Sequence, residues 1–196
     1  DRALARAYRT LNPYQVAHQE EIVYGETPLF TLDQIGKAAG LTSSSFLVDL
    51  GCGRGRSLLF FRHIFGCRVA GVEVIEAFVE RSRPIISSIE WGDLTTADLD
   101  PAVTHIYLYS TCLSDELLAS LTFPPHVTII TVSGPMPGYA YRSFSALFPW
   151  GRGDIYINYG RLPTEEMPPV RKRDTPFDRG RAQGACCPAR QRLGCH

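Results

Sequence analysis

The sequence predicts an α/β fold of three layers, with a mostly parallel seven-stranded sheet between helices and an antiparallel hairpin closing its C-terminal side. Three observations carry this prediction. Residues 48–56, V-D-L-G-C-G-R-G-R, run an apolar strand into glycines at alternate positions, Gly51, Gly53 and Gly55. An apolar helical stretch and a second buried strand follow at once, which makes a strand–helix–strand unit. Further on, residues 141–148 and 154–159 flank the glycine-rich turn P-W-G-R-G, the pattern of two tightly joined antiparallel strands.

Taken in chain order, the first regular element is a helix over residues 32–39. Thr31-Leu-Asp-Gln34 has the form of a capping box, Leu32, Ile35 and Ala39 share one face, and Gly40 is the stop. After the glycine loop, Leu58, Leu59, Phe60, Phe61, Ile64 and Phe65 give the next helix, closed by Gly66, and residues 68–74, R-V-A-G-V-E-V, give the second strand. A third strand ends in I-E-W-G-D-L at residues 89–94. Ile106 and Leu108 mark a fourth, after which Ser114 or Asp115 begins a helix. The continuous apolar run V-T-I-I-T-V-S-G at 127–134 reads as a strand from the middle of a parallel sheet, and the hairpin brings the domain to its end near Arg161.

Length and composition agree with one core. A chain of 196 residues with 44% hydrophobic residues can bury a single full core but not two. No apolar run approaches the roughly eighteen residues of a membrane span, and the opening D-R-A-L-A-R-A-Y-R-T has no apolar signal region and no starting Met. The expectation is a cytoplasmic protein whose sequence starts inside a longer precursor. Residues 1–30 read as a helical segment and a loop, 31–161 as the domain, and 162–196 as a disordered basic tail rich in Pro, Gly and Arg.

The net charge of zero hides a division: residues 1–160 carry twelve basic and sixteen acidic side chains, and the remainder eight and four. A body at −4 with scattered Lys and Arg argues against a nucleic-acid face. The Arg171–Lys172–Arg173 run reads as solvated charge, with an acidic partner as the alternative. The six cysteines lack a disulfide framework, and Cys186, Cys187, Cys195 and His196 lack the C-x-x-C spacing of a zinc site, so no metal is expected.

The chemistry sits at the glycine loop. Alternating glycines after a buried strand let backbone N–H groups approach a ligand that a Cβ would exclude, so a nucleotide-like ligand is expected. A dinucleotide site of the form G-x-G-x-x-G would place its third glycine at position 56, where Arg56 stands. Glu73, at the end of the second strand, occupies the position from which one carboxylate accepts hydrogen bonds from both ribose hydroxyls.

The D-x-G-x-G-x-G run resembles the first motif of the class I S-adenosylmethionine-dependent methyltransferases, whose fold is Rossmann-like and seven-stranded. The resemblance covers roughly residues 20–161 and implies S-adenosyl-L-methionine as cofactor. It places Gly51, Gly53 and Gly55 under the methionine part, Asp49 beside it, Glu73 on the ribose, and Asp93 with the Leu94 N–H on the adenine. Trp91 is either core or a flank of the adenine.

Ahead of the first helix, V-Y-G-E-T-P-L resembles the cofactor-covering loop of the non-SET histone lysine methyltransferases, and implies contacts from Glu26 and Thr27 to the amino-acid end of the cofactor. The asparagine-rich motif of that subgroup after the fourth strand is absent. The combination of Y-G-E-T-P-L, D-L-G-C-G-R-G-R and Y-L-Y-S-T-C-L is similar to uncharacterised bacterial class I methyltransferases.

The expected function is methyl transfer to a protein side chain or a small molecule. The alternatives are a non-catalytic cofactor-binding or interaction module and, less favoured by the glycine spacing, an NAD-dependent oxidoreductase. Ser110, Thr111 and Cys112 follow the fourth strand, where this fold places groups near the transferring methyl, and Thr111 and Tyr109 are the candidate catalytic residues. Tyr24, Tyr109 or solvent could take a proton from an amine acceptor. Cys112, His63 and His105 read as structural.

Overall fold

The computed structural model describes residues 26–149 and 151–162. Tyr24, the Arg171–Lys172–Arg173 run, the terminal cysteines and nearly all of the basic tail lie outside the described residues.

Seven strands form one sheet: β1 (Phe46–Leu50), β2 (Arg68–Glu73), β3 (Ile89–Trp91), β4 (His105–Leu108), β5 (Thr128–Val132), β6 (Tyr139–Phe148) and β7 (Gly151–Arg161), in the spatial order β3-β2-β1-β4-β5-β7-β6. The first five are parallel, whereas β7 is antiparallel to both β5 and β6. The order reverses direction between β1 and β4. At such a point the connections leave toward opposite faces and open a crevice beyond the carboxyl ends of the strands.

Helices α1 (Leu29–Ala39), α2 (Arg56–Phe65) and α3 (Glu76–Ser82) cover one face of the sheet. Leu32 and Ile35 of α1 and Leu58 and Phe61 of α2 pack there with Val79 of α3, Leu47, Ile130 and Ile155. The other face is held mainly by the short helix α4 (Asp115–Ser120) and by connections, with Leu118, Val103, Leu121 and Met136 packed on Val48, Ile106 and Ile129. Ser114 caps α4 by accepting a hydrogen bond from Leu117 N at 3.1 Å.

The first helix departs from expectation. It starts at Leu29, with Pro28 ahead of it and no side-chain cap, so Thr31 and Gln34 make no capping box. Thr31 is wholly buried and donates to Leu147 O of β6 at 2.5 Å, while Gln34 Oε1 is buried without a partner. The contact explains the difference: Thr31 is committed to a carbonyl of the outer strand β6, and Arg142 of β6 donates in turn to Ala38 O of α1. The bond occupies one carbonyl of an outer strand, where unpaired backbone groups are otherwise open to another strand. The stop at Gly40 is as expected, with φ 72°.

Candidate functional site

The crevice begins at the glycine loop. Gly51, Gly53 and Gly55 all have left-handed backbones, with φ of 85°, 55° and 71°. Gly55 is needed for two reasons, since a Cβ there would also lie 2.9 Å from Ile89 Cδ1 and 3.0 Å from Ile86 Cδ1. Gly51 is the opposite case: it is exposed, and a Cβ on it would meet no protein atom within 4 Å. The loop is closed tightly against the sheet and open toward the crevice. Its anchor is Cys52, a free, buried thiol packed so closely on Gly71 of β2 that a Cβ at Gly71 would come within 2.7 Å of its Sγ.

Two carboxylates are buried beneath this loop. Asp49, the last residue but one of β1, is 3% exposed and accepts a hydrogen bond from the Ser57 hydroxyl. Burial pushes its carboxyl up to about 7; the Ser57 bond opposes that shift and the Glu73 charge adds to it. Glu73, at the end of β2, accepts from Gly53 N at 2.7 Å and from Ile75 N at 2.8 Å. Burial raises its carboxyl too, against the lowering by these backbone donors. Glu73 is therefore a brace as well as a candidate ligand group, because it ties the glycine loop to the start of α3. The hydrogen-bond partners of the two acids are the Ser57 hydroxyl and backbone N–H groups.

The segment before α1 meets the same loop. Glu26 holds two arginines, with Oε1 2.9 Å from Arg54 Nη2 and Oε2 2.9 Å from Arg56 Nη1. Thr27 is buried and shares a 2.5 Å hydrogen bond with the hydroxyl of Tyr107 on β4. Glu26 and Thr27 thus stand beside the glycine loop, and the carboxylate of Glu26 faces guanidinium groups. Arg56, the residue that replaces the third glycine of a dinucleotide motif, is one of them.

At the outer strand, Asp93 and Leu94 diverge. Asp93 is exposed, and its Oδ1 accepts from both Thr95 N and Thr95 Oγ1 at 2.8 Å, an Asx turn that shapes the connection after β3. Leu94 is half-buried and packs against the core of the opposite face. Trp91 is 59% exposed, which removes the core alternative, and its Nε1 donates to Val74 O at 3.0 Å.

The other half of the crevice lies beyond β4 and β5. Tyr109 stands edge-on to Phe148, with ring centroids 6.4 Å apart. Ser110 is buried and donates to Val132 O at 2.6 Å. Thr111 Oγ1 lies 3.2 Å from Ser133 Oγ, across the ends of the two strands. Ser133 was not foreseen; it has φ 72°, and no other non-glycine among the described residues has positive φ. A knot around Asn158 holds it there: Asn158 donates to Ile129 O at 2.8 Å and accepts from Met136 N at 2.8 Å, Thr131 Oγ1 donates to Gly134 O at 2.6 Å, and Ser133 N donates to Asp154 O at 2.8 Å. Cys112 belongs to the 3₁₀ turn Ser110–Cys112. His105 bridges Thr104 Oγ1 and Ala39 O, a structural position in which burial lowers its pKa, while His63 is exposed on α2.

Sheet order, glycine loop and the acids at the ends of β1 and β2 together define the seven-stranded fold of the class I S-adenosylmethionine-dependent methyltransferases. Residues 1–84 match the family model described as histone methylation protein DOT1. That stretch includes Glu26, Thr27, the glycine loop and Glu73 but stops short of Asp93.

Solved structures share the fold. An RNA methyltransferase from Salinibacter ruber, in complex with S-adenosyl-L-homocysteine, has a TM-score of 0.58 and 22% identity over 74% of this chain and 98% of its own. A SAM-dependent methyltransferase from Aquifex aeolicus has a TM-score of 0.51 and 16% identity over 79% of this chain and 97% of its own. MtNAS, in complex with MTA and tNA, has a TM-score of 0.56 and 14% identity over 83% of this chain and 69% of its own. A search among curated proteins gives no match. Among the described residues, no helix is long and apolar enough to cross a membrane, and no cluster of His, Cys, Asp and Glu could hold a metal ion.

Proposed function

We propose that the chain is a methyltransferase that binds S-adenosyl-L-methionine across the ends of β1, β2 and β3 and transfers its methyl group to a protein side chain or a small molecule. The observation that carries the reading is the cradle at Gly51, open where a Cβ would intrude, directly above two buried carboxylates. The residues fit this cofactor. Its sulfonium and ammonium are cationic, and the site offers Asp49 and Glu73; its ribose carries two donors, and Glu73 has an acceptor at the strand end. Asp93 and the Leu94 N–H are assigned to the adenine, and Glu26 and Thr27 to the amino-acid end. With Glu26 bound to Arg54 and Arg56, those guanidiniums join the set available to the cofactor's carboxylate.

The cofactor brings a methyl group bound to a positive sulfur, open to direct displacement by a nucleophile. The chain's task is then alignment and exclusion of water rather than strong acid–base chemistry. Thr111 stands where it can hold the acceptor by hydrogen bonding, with Tyr109 beside it. A dinucleotide oxidoreductase fits less well, because that fold continues as a parallel sheet in the order 3-2-1-4-5-6, whereas here antiparallel β7 lies between β5 and β6.

Calorimetric titration with S-adenosyl-L-methionine and with NAD tests the cofactor assignment. Binding of the former is expected; binding of NAD alone would overturn it. Transfer of tritiated methyl groups to separated protein, RNA and small-molecule fractions of a cell lysate tests the acceptor. Label in protein or small molecules is expected, and label in RNA alone would replace that class.

A further inference from the structure

Tyr107 is the last residue but one of β4, and in register it pairs with Asp49, the last but one of β1. It therefore stands at the carboxyl ends of the two strands between which the sheet order reverses. Its ring is buried edge-on to Phe61 of α2, with centroids 6.0 Å apart. That packing accounts for an aromatic ring here but not for its hydroxyl, since phenylalanine would fill the same space. The hydroxyl reaches 80 residues back along the chain, to Thr27 Oγ1 at 2.5 Å.

A bond between two hydroxyls uses one proton and leaves one over. The phenol is the more acidic of the pair and so the better donor, and burial keeps it protonated by pushing it above its ordinary value of 10.0. Thr27 then accepts, and its own O–H remains to be donated. Neither hydroxyl has a second hydrogen-bond partner among the described residues, and Thr27 is only 6% exposed. A donor so deeply buried needs an acceptor. The adjoining residue shows where one would lie: Glu26 is bound to Arg54 and Arg56 of the glycine loop, so the Thr27 O–H adjoins a pair of cations to which a carboxylate is drawn.

We propose that Tyr107 is a positioning residue: its phenol donates to Thr27 and so aims the remaining Thr27 O–H at the carboxylate of the cofactor's amino-acid end. This rests on the cofactor reading above and extends it to a side chain that itself touches no part of the cofactor. Because Tyr107 acts through Thr27, its hydroxyl matters for ligands that carry that carboxylate and is indifferent to those that lack it.

Calorimetry with two ligands separates positioning from packing, because 5′-methylthioadenosine keeps the nucleoside and sulfur of S-adenosyl-L-homocysteine but has no amino-acid end. Tyr107→Phe should weaken S-adenosyl-L-homocysteine about fivefold and leave 5′-methylthioadenosine within about twofold of wild type. Thr27→Val should weaken the former about tenfold, Thr27→Ser should restore it, and Tyr107→Phe/Thr27→Val should bind it no more weakly than Thr27→Val alone. Loss of both ligands to the same degree in Tyr107→Phe, or wild-type affinity for both, overturns the proposal and leaves the cofactor reading intact. If Tyr107→Phe does not fold, the variant lacking both hydroxyls decides: affinity equal to that of Thr27→Val supports the proposal, and a further loss overturns it. No heat of binding from either ligand in the wild-type protein overturns the cofactor reading and the proposal together.

Discussion

The ends of β1 and β2 and the ends of β4 and β5 face one crevice but are built from different materials. The first pair carries buried charge: Asp49 and Glu73 sit under a loop of three left-handed glycines, and backbone N–H groups supply the bonds that hold Glu73. The second pair is neutral, made of Ser110, Thr111 and Ser133 hydroxyls and the Tyr109 ring. One side thus offers electrostatic recognition of a cation, and the other offers placement. That division suits a reaction whose reactive charge arrives on the cofactor and whose acceptor needs mainly to be aimed.

The largest expected effect tests the buried charge. Asp49 titrates near 7 in the folded chain against 3.8 for the ordinary group. Between about pH 4 and pH 7 the folded state therefore keeps a proton that the unfolded state has released, and stability falls as pH rises through that window. The slope is at most about 1.4 kcal/mol per pH unit, on the order of 4 kcal/mol across the whole window. Asp49→Asn keeps an acceptor for Ser57 and should flatten the profile. Urea unfolding between pH 4.5 and 7.5 measures it, and equal slopes in the two proteins would show that Asp49 is not the group responsible.

Next in size is the contrast between two glycines of one loop. Gly55→Ala combines a left-handed backbone with contacts of 2.9 and 3.0 Å, and should cost about 3 kcal/mol of stability. Gly51→Ala meets no neighbour and should cost only about 1 kcal/mol, for its backbone alone. If the cradle is occupied as proposed, Gly51→Ala should nonetheless lose most of its affinity for S-adenosyl-L-homocysteine. Normal binding by that variant would remove the cradle from the site.

Glu73→Ala ranks below Gly55→Ala in its effect on folding. It leaves the buried Gly53 and Ile75 N–H groups without their acceptor, a loss of about 2 kcal/mol, and should weaken cofactor binding by about 1–3 kcal/mol as well. Denaturation and calorimetry on the same variant separate bracing from ligand binding. A change in stability without a change in affinity would leave Glu73 as a brace alone.

The two halves also differ in how far they can be read from sequence. The glycine spacing, the acids at the strand ends, Gly40, Gly66 and the closing hairpin are local patterns, and each lies where its pattern predicts. Thr31 and Gln34 have the local form of a cap, but a bond to Leu147, 116 residues away, sets the role of Thr31. The arginines bound to Glu26 lie 28 and 30 residues beyond it, a distance at which no helical or strand period links charges. Ser133 is less legible still, because serine has no preference for positive φ and the conformation is imposed by contacts that Asn158 organises from β7.

That imposed conformation yields the smallest prediction and the one most specific to the neutral half. A left-handed serine costs roughly 1 kcal/mol, so Ser133→Gly should raise stability by up to that amount if strain is all the residue contributes. Ser133→Ala keeps the strain and removes the hydroxyl that meets Thr111, so it should be neutral or slightly destabilising. Both variants should bind S-adenosyl-L-homocysteine at wild-type affinity, since Ser133 lies beyond β5 and the cofactor is placed over β1 to β3. Both should transfer tritiated methyl groups to the labelled lysate fraction more slowly if the hydroxyl pair aims the acceptor. Full transfer rates in both would confine Ser133 to the architecture of the β5–β6 connection and leave Thr111 to act without it.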